Sequence, residues 1–189
     1  MSSDGIAGAS PAAGVSPESS PLLAFADGLL ATGANERAES SGELRQYLSF
    51  GLRDEEFAIP ILNCREILRA ATITRIPDAP VAVRGVVNLR GRIVPAVDVR
   101  ICLGFEQAPV TGKSRLIVVE IEGRFFALVV DRVVRILKLA SSQIVSPAHP
   151  PRFACLVGMA NVVDTSIHIL DSERLLLANP GMTPPTEKE

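Results

Sequence analysis

The side chains able to do chemistry in this sequence are few and scattered. The two histidines are His149, inside Pro147-Ala148-His149-Pro150-Pro151, and His168, between Ile167 and Ile169. Neither has a second ligand at metal-binding spacing. The first reads as a loop residue, the second as a surface or satisfied barrel residue. Cys64, Cys102 and Cys155 are odd in number and far apart, with no C-x-x-C pair. They read as buried or half-buried thiols of a reducing compartment. No local signature makes Cys64 a nucleophile paired with a histidine. Gly112-Lys113-Ser114 ends like a phosphate-cradling loop. It lacks the glycine five positions earlier, however, and it precedes a strand pattern instead of a helix. Glu55-Glu56 falls at a predicted turn, where a solvated pair is the ordinary outcome, and no acid/base pair stands out. The sequence therefore predicts no enzyme, no metal and no cofactor.

Bulk properties narrow the classes further. The net charge is −2 and the chain has no Trp, one Tyr and seven Phe. Clustered cations and stacking aromatics, the means of holding nucleic acid, are both scarce. No run of 18 apolar residues is present, so direct membrane insertion is not expected. The first residues lack the pattern of a secretion signal, which predicts a cytoplasmic protein. At 47% hydrophobic residues the chain can bury a real core.

The elements that would position any site are strands. Residues 1–43 are rich in Ser, Ala, Gly and Pro and read as a disordered tail. Within them Leu22-Leu23-Ala24-Phe25 with Leu29-Leu30 forms an apolar patch, read as a greasy segment of that tail, with a helical turn as the alternative. Residues 179–189 read as a second flexible tail. Between the tails, Leu44, Gln46, Leu48, Phe50 and Leu52 alternate as one strand face. Arg53 to Glu56 reads as a turn and Phe57-Ala58-Ile59 as the returning strand. Val86–Leu89 and Ile93–Val97 flank Arg90-Gly91-Arg92 as a hairpin, and 115–121 with 124–130 flank Glu122-Gly123 as another. Short helices are predicted over 81–84, 99–103 and 172–177.

An internal repeat sets the architecture. A shift of 69 places Phe57-Ala58-Ile59 on Phe126-Ala127-Leu128, and Leu48, Phe50 and Leu52 on Ile117, Val119 and Ile121. A shift of 73 places Gly85, Asn88 and Asp98 on Gly158, Asn161 and Asp171. Strand, hairpin, strand, hairpin and short helix thus occur twice. Two small barrels follow, since closure removes exposed edges; one twisted sandwich is the alternative.

The most informative stretch is Arg75 to Arg100. Pro77 and Pro80 stiffen its entry, and Gly85 suits a helix end. Gly91 can take positive φ at a hairpin tip, which frees Arg90 to project. Pro95 cannot donate to a ladder, so its strand is expected at an edge or a bulge. The order Arg75, Pro77, Ala79-Pro80, Gly85, Asn88-Leu89-Arg90-Gly91, Pro95, Asp98, Arg100 closely resembles the CheW family, the coupling proteins of bacterial chemosensory arrays. Glu66-Ile67-Leu68, Gly123, Leu128 to Val133, Ile169-Leu170-Asp171 and Leu175-Leu176 extend the resemblance over about residues 44–178.

The resemblance implies an all-β fold of two five-stranded SH3-like barrels. It also implies a non-catalytic adaptor in the cytoplasm, at membrane-associated receptor arrays. Its partners would be the cytoplasmic tips of chemoreceptors and the regulatory domain of a CheA-type histidine kinase, barrel against barrel. Glu66 and Arg90 resemble family positions that face the receptor, and Cys64, Leu68 and Leu89 would add an apolar groove for a helix. Asn88, Gly91, Pro95 and Asp98 are motif residues with structural roles. Arg132 and Arg135 depart from the small or acidic residues usual there, which bears on kinase pairing. The tails have no room for the kinase's or the CheV-type adaptor's other domains, so a stand-alone coupler is expected. The alternatives are a scaffold of a pilus or biofilm pathway, or a small-molecule-binding double barrel.

Overall fold

The computed structural model describes residues 43–70, 73–147 and 151–177. The two predicted tails, apart from Glu43 at their border, and His149 lie outside these residues. Ten strands form: β1 (Leu44–Leu52), β2 (Glu55–Pro60), β3 (Cys64–Arg69), β4 (Val83–Leu89), β5 (Arg92–Asp98), β6 (Arg115–Ile121), β7 (Arg124–Val130), β8 (Arg132–Ala140), β9 (Leu156–Val162) and β10 (Thr165–Leu170). Two short helices, α1 (Val99–Cys102) and α2 (Ser172–Leu177), follow β5 and β10.

The strands make two five-stranded sheets, ordered β8-β1-β2-β10-β9 and β3-β6-β7-β5-β4. The sequence repeat is real, but a repeat is not a barrel. The first repeat runs β1 to α1 and the second β6 to α2, yet barrel A takes β1 and β2 from one and β8 to β10 from the other. Barrel B takes β3 to β5 and then β6 and β7. Each barrel is knitted by one parallel contact between repeats, β10 on β2 and β5 on β7.

Each sheet joins its own two edges through the segment that leaves the first edge strand. Thr74, after β3, exchanges both backbone hydrogen bonds with Val86 of β4 at 2.8 Å. Val145, after β8, does the same with Met159 of β9 at 2.8 Å. This explains why Gly85 and Gly158 recur at a shift of 73. A Cβ on Gly85 would lie 2.1 Å from the Thr74 carbonyl oxygen, and one on Gly158 would lie 2.4 Å from Ile144 Cγ2. The closing segment needs the space that glycine leaves.

Three apolar cores result. Leu116, Val118, Ala127 and Val94 fill barrel B, while Tyr47, Leu137, Ile167 and Ile169 fill barrel A. The third and largest lies between the barrels. It unites Phe50, Phe57 and Ile59 with Ile117, Phe126 and Leu128, and α2 adds Leu175 and Leu176. Strand alternation supplies two buried faces per sheet, which is why the central strands are apolar on both sides.

Three local expectations are corrected. Residues 81–84 are not helical: Val83 N–H bonds the Pro80 carbonyl at 2.7 Å, making a single turn, and β4 then begins at Val83. The turn after β1 is only Arg53-Asp54, and Glu55-Glu56 already belongs to β2. Pro95 sits in an interior strand, between β4 and β7. Its missing N–H is harmless there. Its partner Val86 spends both backbone groups on Thr74, so the Val86–Pro95 pair is a non-hydrogen-bonded one. Pairing with β7 begins only at Ala96.

Gly85 combines a φ of +147° with the crowding described above, whereas Gly91 (φ +88°) has nothing within 4 Å of a Cβ. Gly85→Ala is therefore expected to cost about 2–3 kcal/mol or more and Gly91→Ala about 1 kcal/mol. Urea denaturation of the two variants checks the order; equal losses would contradict the closure argument.

Candidate functional site

The hairpin between β4 and β5 is a two-residue turn with both tip residues left-handed, Arg90 at φ 50° and Gly91 at φ 88°. That is the type I′ geometry, whose twist matches paired strands. Asn88 Oδ1 accepts the Gly91 N–H at 2.8 Å and locks the tip. Arg90 takes a position where Asn, Asp or Gly is usual, and its side chain is 74% exposed. Its guanidinium Nη2 stands 3.6 Å from Glu66 Oε2 on β3, the opposite edge strand of the same sheet, and the Glu66 side chain is only 14% exposed. An exposed cation thus overhangs a sheltered carboxylate at the mouth of barrel B.

The other predicted contact residues are placed differently. Leu68 is half-buried beside the barrel B core. Cys64 (4% exposed) and Leu89 (9% exposed) are internal, the first in the inter-barrel core and the second in the lumen of barrel B. The three do not line one open groove. Cys64 anchors β3 in the inter-barrel core, and Leu89 anchors β4 in the barrel B core. Burial pushes the Cys64 thiol up to about 12, so it is a neutral packing group whose Sγ lies 3.7 Å from the Pro60 carbonyl.

Beneath the hairpin lies an ionic framework. Asp98, 2% exposed, caps α1 by accepting the Arg100 N–H at 3.0 Å, and its other oxygen accepts Arg84 Nε–H at 2.8 Å. Arg84 also donates to the Ala108 carbonyl. Arg100 grips Asp131 with both Nε and Nη2, a two-point pair at the crossover from barrel B to barrel A. Asp131 also accepts the Arg53 N–H of barrel A at 2.7 Å. Sequence reasoning named Asp98 and Arg100 but missed the partners Arg84 and Asp131. The only signals for them were the acidic residue between β7 and β8 and the basic residue in β4.

The repeat has a counterpart site on barrel A. A shift of 69 maps Glu66 onto Arg135, and both stand at matching β-bulges, between Cys64 and Glu66 and between Ser49 and Phe50 opposite Arg135. Arg135 pairs with Glu56 at 3.3 Å, so the charge at this position is inverted between the barrels. Arg132, the second departure, donates to the Arg53 carbonyl at 3.1 Å and lies over Gly51. The hairpin tip matching Arg90-Gly91 is Val163-Asp164, again with both φ positive (43° and 61°).

His168 stacks on Phe57 at 5.2 Å and its Nε2 lies 3.4 Å from Glu55. Burial lowers its pKa, Glu55 opposes that and Arg152 adds to it, so the ring is neutral at pH 7. A hollow of about 260 Å³ between α1 and α2 is lined by Cys102, Cys155, Phe153 and Arg152. It is below the usual ligand-pocket range and offers one charged group. No group of three metal-ligating side chains exists among the described residues. Among them, too, no helix is long and apolar enough to cross a membrane.

Two interlocked five-stranded β-barrels with a charged hairpin on one of them define a double-barrel β-module. The family model described as "CheW-like domain" matches residues 46–179, and the chain belongs to that family. The chemotaxis protein CheW of Klebsiella aerogenes is 34% identical over 153 residues, 78% of this chain and 89% of its own. Protein PilI of Pseudomonas aeruginosa is 34% identical over 86 residues, 46% of this chain and 48% of its own. The crystal structure of the scaffolding protein TtCheW from Thermoanaerobacter tengcongensis superposes with a TM-score of 0.66 at 29% identity, covering 71% of this chain and 93% of that one.

The thiols give a pH prediction. Burial raises Cys64 to about 12, Cys102 to about 12 and Cys155 to about 11, above the value of about 8.5 in an unfolded chain. Their contribution to stability is thus whole below about pH 8 and is lost as pH rises from about 8.5 towards about 12. The expected result is a midpoint in urea that falls above pH 9, less so in Cys64→Ala than in the parent. Folded protein at pH 8 should react slowly with a thiol reagent at all three sites, and unfolded protein fast.

Proposed function

We propose that this chain is a non-catalytic coupling scaffold, holding chemoreceptor cytoplasmic tips to a CheA-type histidine kinase within a cytoplasmic, membrane-associated signalling array. The observation that carries the reading is the Arg90 tip held over Glu66. It is a rigid, outward charge on a locked turn, suited to charge-assisted hydrogen bonds with a helical partner. In this reading the receptor contact is Arg90, Glu66 and half-buried Leu68, while Cys64 and Leu89 support it from inside. Asn88 and Gly91 set the turn, and Asp98 ties its base to α1.

The kinase contact lies on barrel faces, and Arg132 and Arg135 of barrel A bias the choice of kinase by charge. Each contact can be modest, about 1,000 Å² or less, because an array multiplies them. Signal transmission requires receptor states that differ in contact energy with the scaffold. The similarity to PilI favours a second reading of the output, a pilus-type pathway with the same coupling role.

Arg90→Glu is expected to weaken binding of a receptor-tip helical hairpin by about 1–3 kcal/mol, roughly 5- to 150-fold in Kd, with unchanged stability. Titration calorimetry measures it. Receptor binding by folded Arg90→Glu at the parental affinity would sink the assignment.

A further inference from the structure

The hairpin that holds Arg90 carries a second arginine. Arg92 is exposed and stands directly across from Leu89 at the base of the tip. Residues opposed across a ladder share a face of the sheet. Leu89 enters the barrel B core, and the Arg92 guanidinium lies over the ring of half-buried Phe125 on β7, 5.3 Å from its centroid. The hairpin thus reaches both ways, with Arg90 towards Glu66 on β3 and Arg92 towards Phe125 on β7.

Neither nearby carboxylate serves Arg92. Glu66 faces Arg90 at 3.6 Å, and Glu120, on the strand between β3 and β7, accepts the Arg65 Nε–H at 2.7 Å. Arg152 also lies over aromatic rings, but it is paired with Glu55 at 2.8 Å. Among the described residues, Arg92 is therefore the stacked arginine without a carboxylate. The ring occupies the face of the guanidinium and fixes its direction. The donor edge stays free for an anion from outside.

The twin barrel shows what duplication changed. By the repeat, Phe125 stands where barrel A has Glu56, and Arg92 where it has Thr165. In barrel A, Glu56 neutralises Arg135 at 3.3 Å. Barrel B has an aromatic ring in place of that carboxylate and an added cation. Its positions Glu66, Phe125, Arg90, Gly91 and Arg92 hold one net positive charge, whereas Arg135, Glu56, Val163, Asp164 and Thr165 hold one net negative charge.

We infer that Arg92, braced on Phe125, is a specificity-determining contact that binds an acidic side chain of the helical partner met by Arg90 and Glu66. This rests on the coupling reading and adds the partner's chemistry: its contacting helix face must carry a carboxylate, held by the forked guanidinium edge.

Titration calorimetry of a receptor-tip helical hairpin against the parent, Arg92→Glu, Arg92→Lys and Phe125→Leu tests it. Each exposed Asp or Glu of the hairpin is also changed in turn to Lys. Arg92→Glu is expected to weaken binding about 10-fold or more. Arg92→Lys keeps the charge but loses the fork and the stacking, so it and Phe125→Leu should weaken binding less. One acidic-to-Lys hairpin should bind the parent poorly and regain affinity for Arg92→Glu. Unchanged urea midpoints separate lost contact from lost fold, and Arg92→Lys carries the test if Arg92→Glu folds poorly. A parent that binds no receptor hairpin overturns the coupling reading and this inference with it. Parental binding that the Arg92 variants leave unchanged, or a loss that no acidic-to-Lys hairpin restores, overturns the inference alone.

Discussion

The structure depends on the apolar layer shared by the two barrels. Phe50 and Phe57 from one sheet face Ile117, Phe126 and Leu128 from the other, all nearly or fully buried. Neither barrel has a polar outer wall on that side, so neither could stand in water alone. At about 25 cal/mol per Å² of apolar area, the burial of a dozen such side chains is the dominant favourable contribution to keeping the pair together. Because each repeat also gives strands to both barrels, separation would break ladders as well as packing. The two barrels thus share one packed core, with the Arg90–Glu66 pair on one and the Arg135–Glu56 pair on the other.

Polar groups are used sparingly and at junctions. Asp98 and Asp171 cap the short helices at equivalent places in the two repeats. The Asp98 N–H bonds the Ala82 carbonyl at 2.7 Å and the Asp171 N–H bonds the Cys155 carbonyl at 2.9 Å. Asp131, held by Arg100 and by the Arg53 amide, fixes the point where the chain crosses from one barrel to the other. The paired groups satisfy one another where water is scarce, so the crossover has a single geometry. Duplication then allows divergence at the periphery. Glu66 has become Arg135, Arg90 has become Val163, and the polar Thr74 and Arg84 have become Val145 and Val157, while the glycines and aspartates that hold the backbone remain.

The sequence by itself determined β1, β2 and the strands of the two central hairpins, the tips of those hairpins, the duplication and the family. These are local or periodic properties: alternation of apolar residues, glycine at positive φ, and the run from Arg75 to Arg100. It also located Arg90 on an exposed turn, because a two-residue loop between β-branched runs leaves its side chain no other place. Only the tertiary structure decided that the repeats exchange strands, that Pro95 lies inside a sheet, that Leu89 faces inward, and that Cys64 packs between the barrels and not in a groove. It alone brought Arg84 to Asp98 and Asp131 to Arg100. The physical reason is that side-chain partners across a sheet or between barrels are fixed by strand order and register. Those are set by burying the shared apolar layer, and no spacing along the chain encodes them.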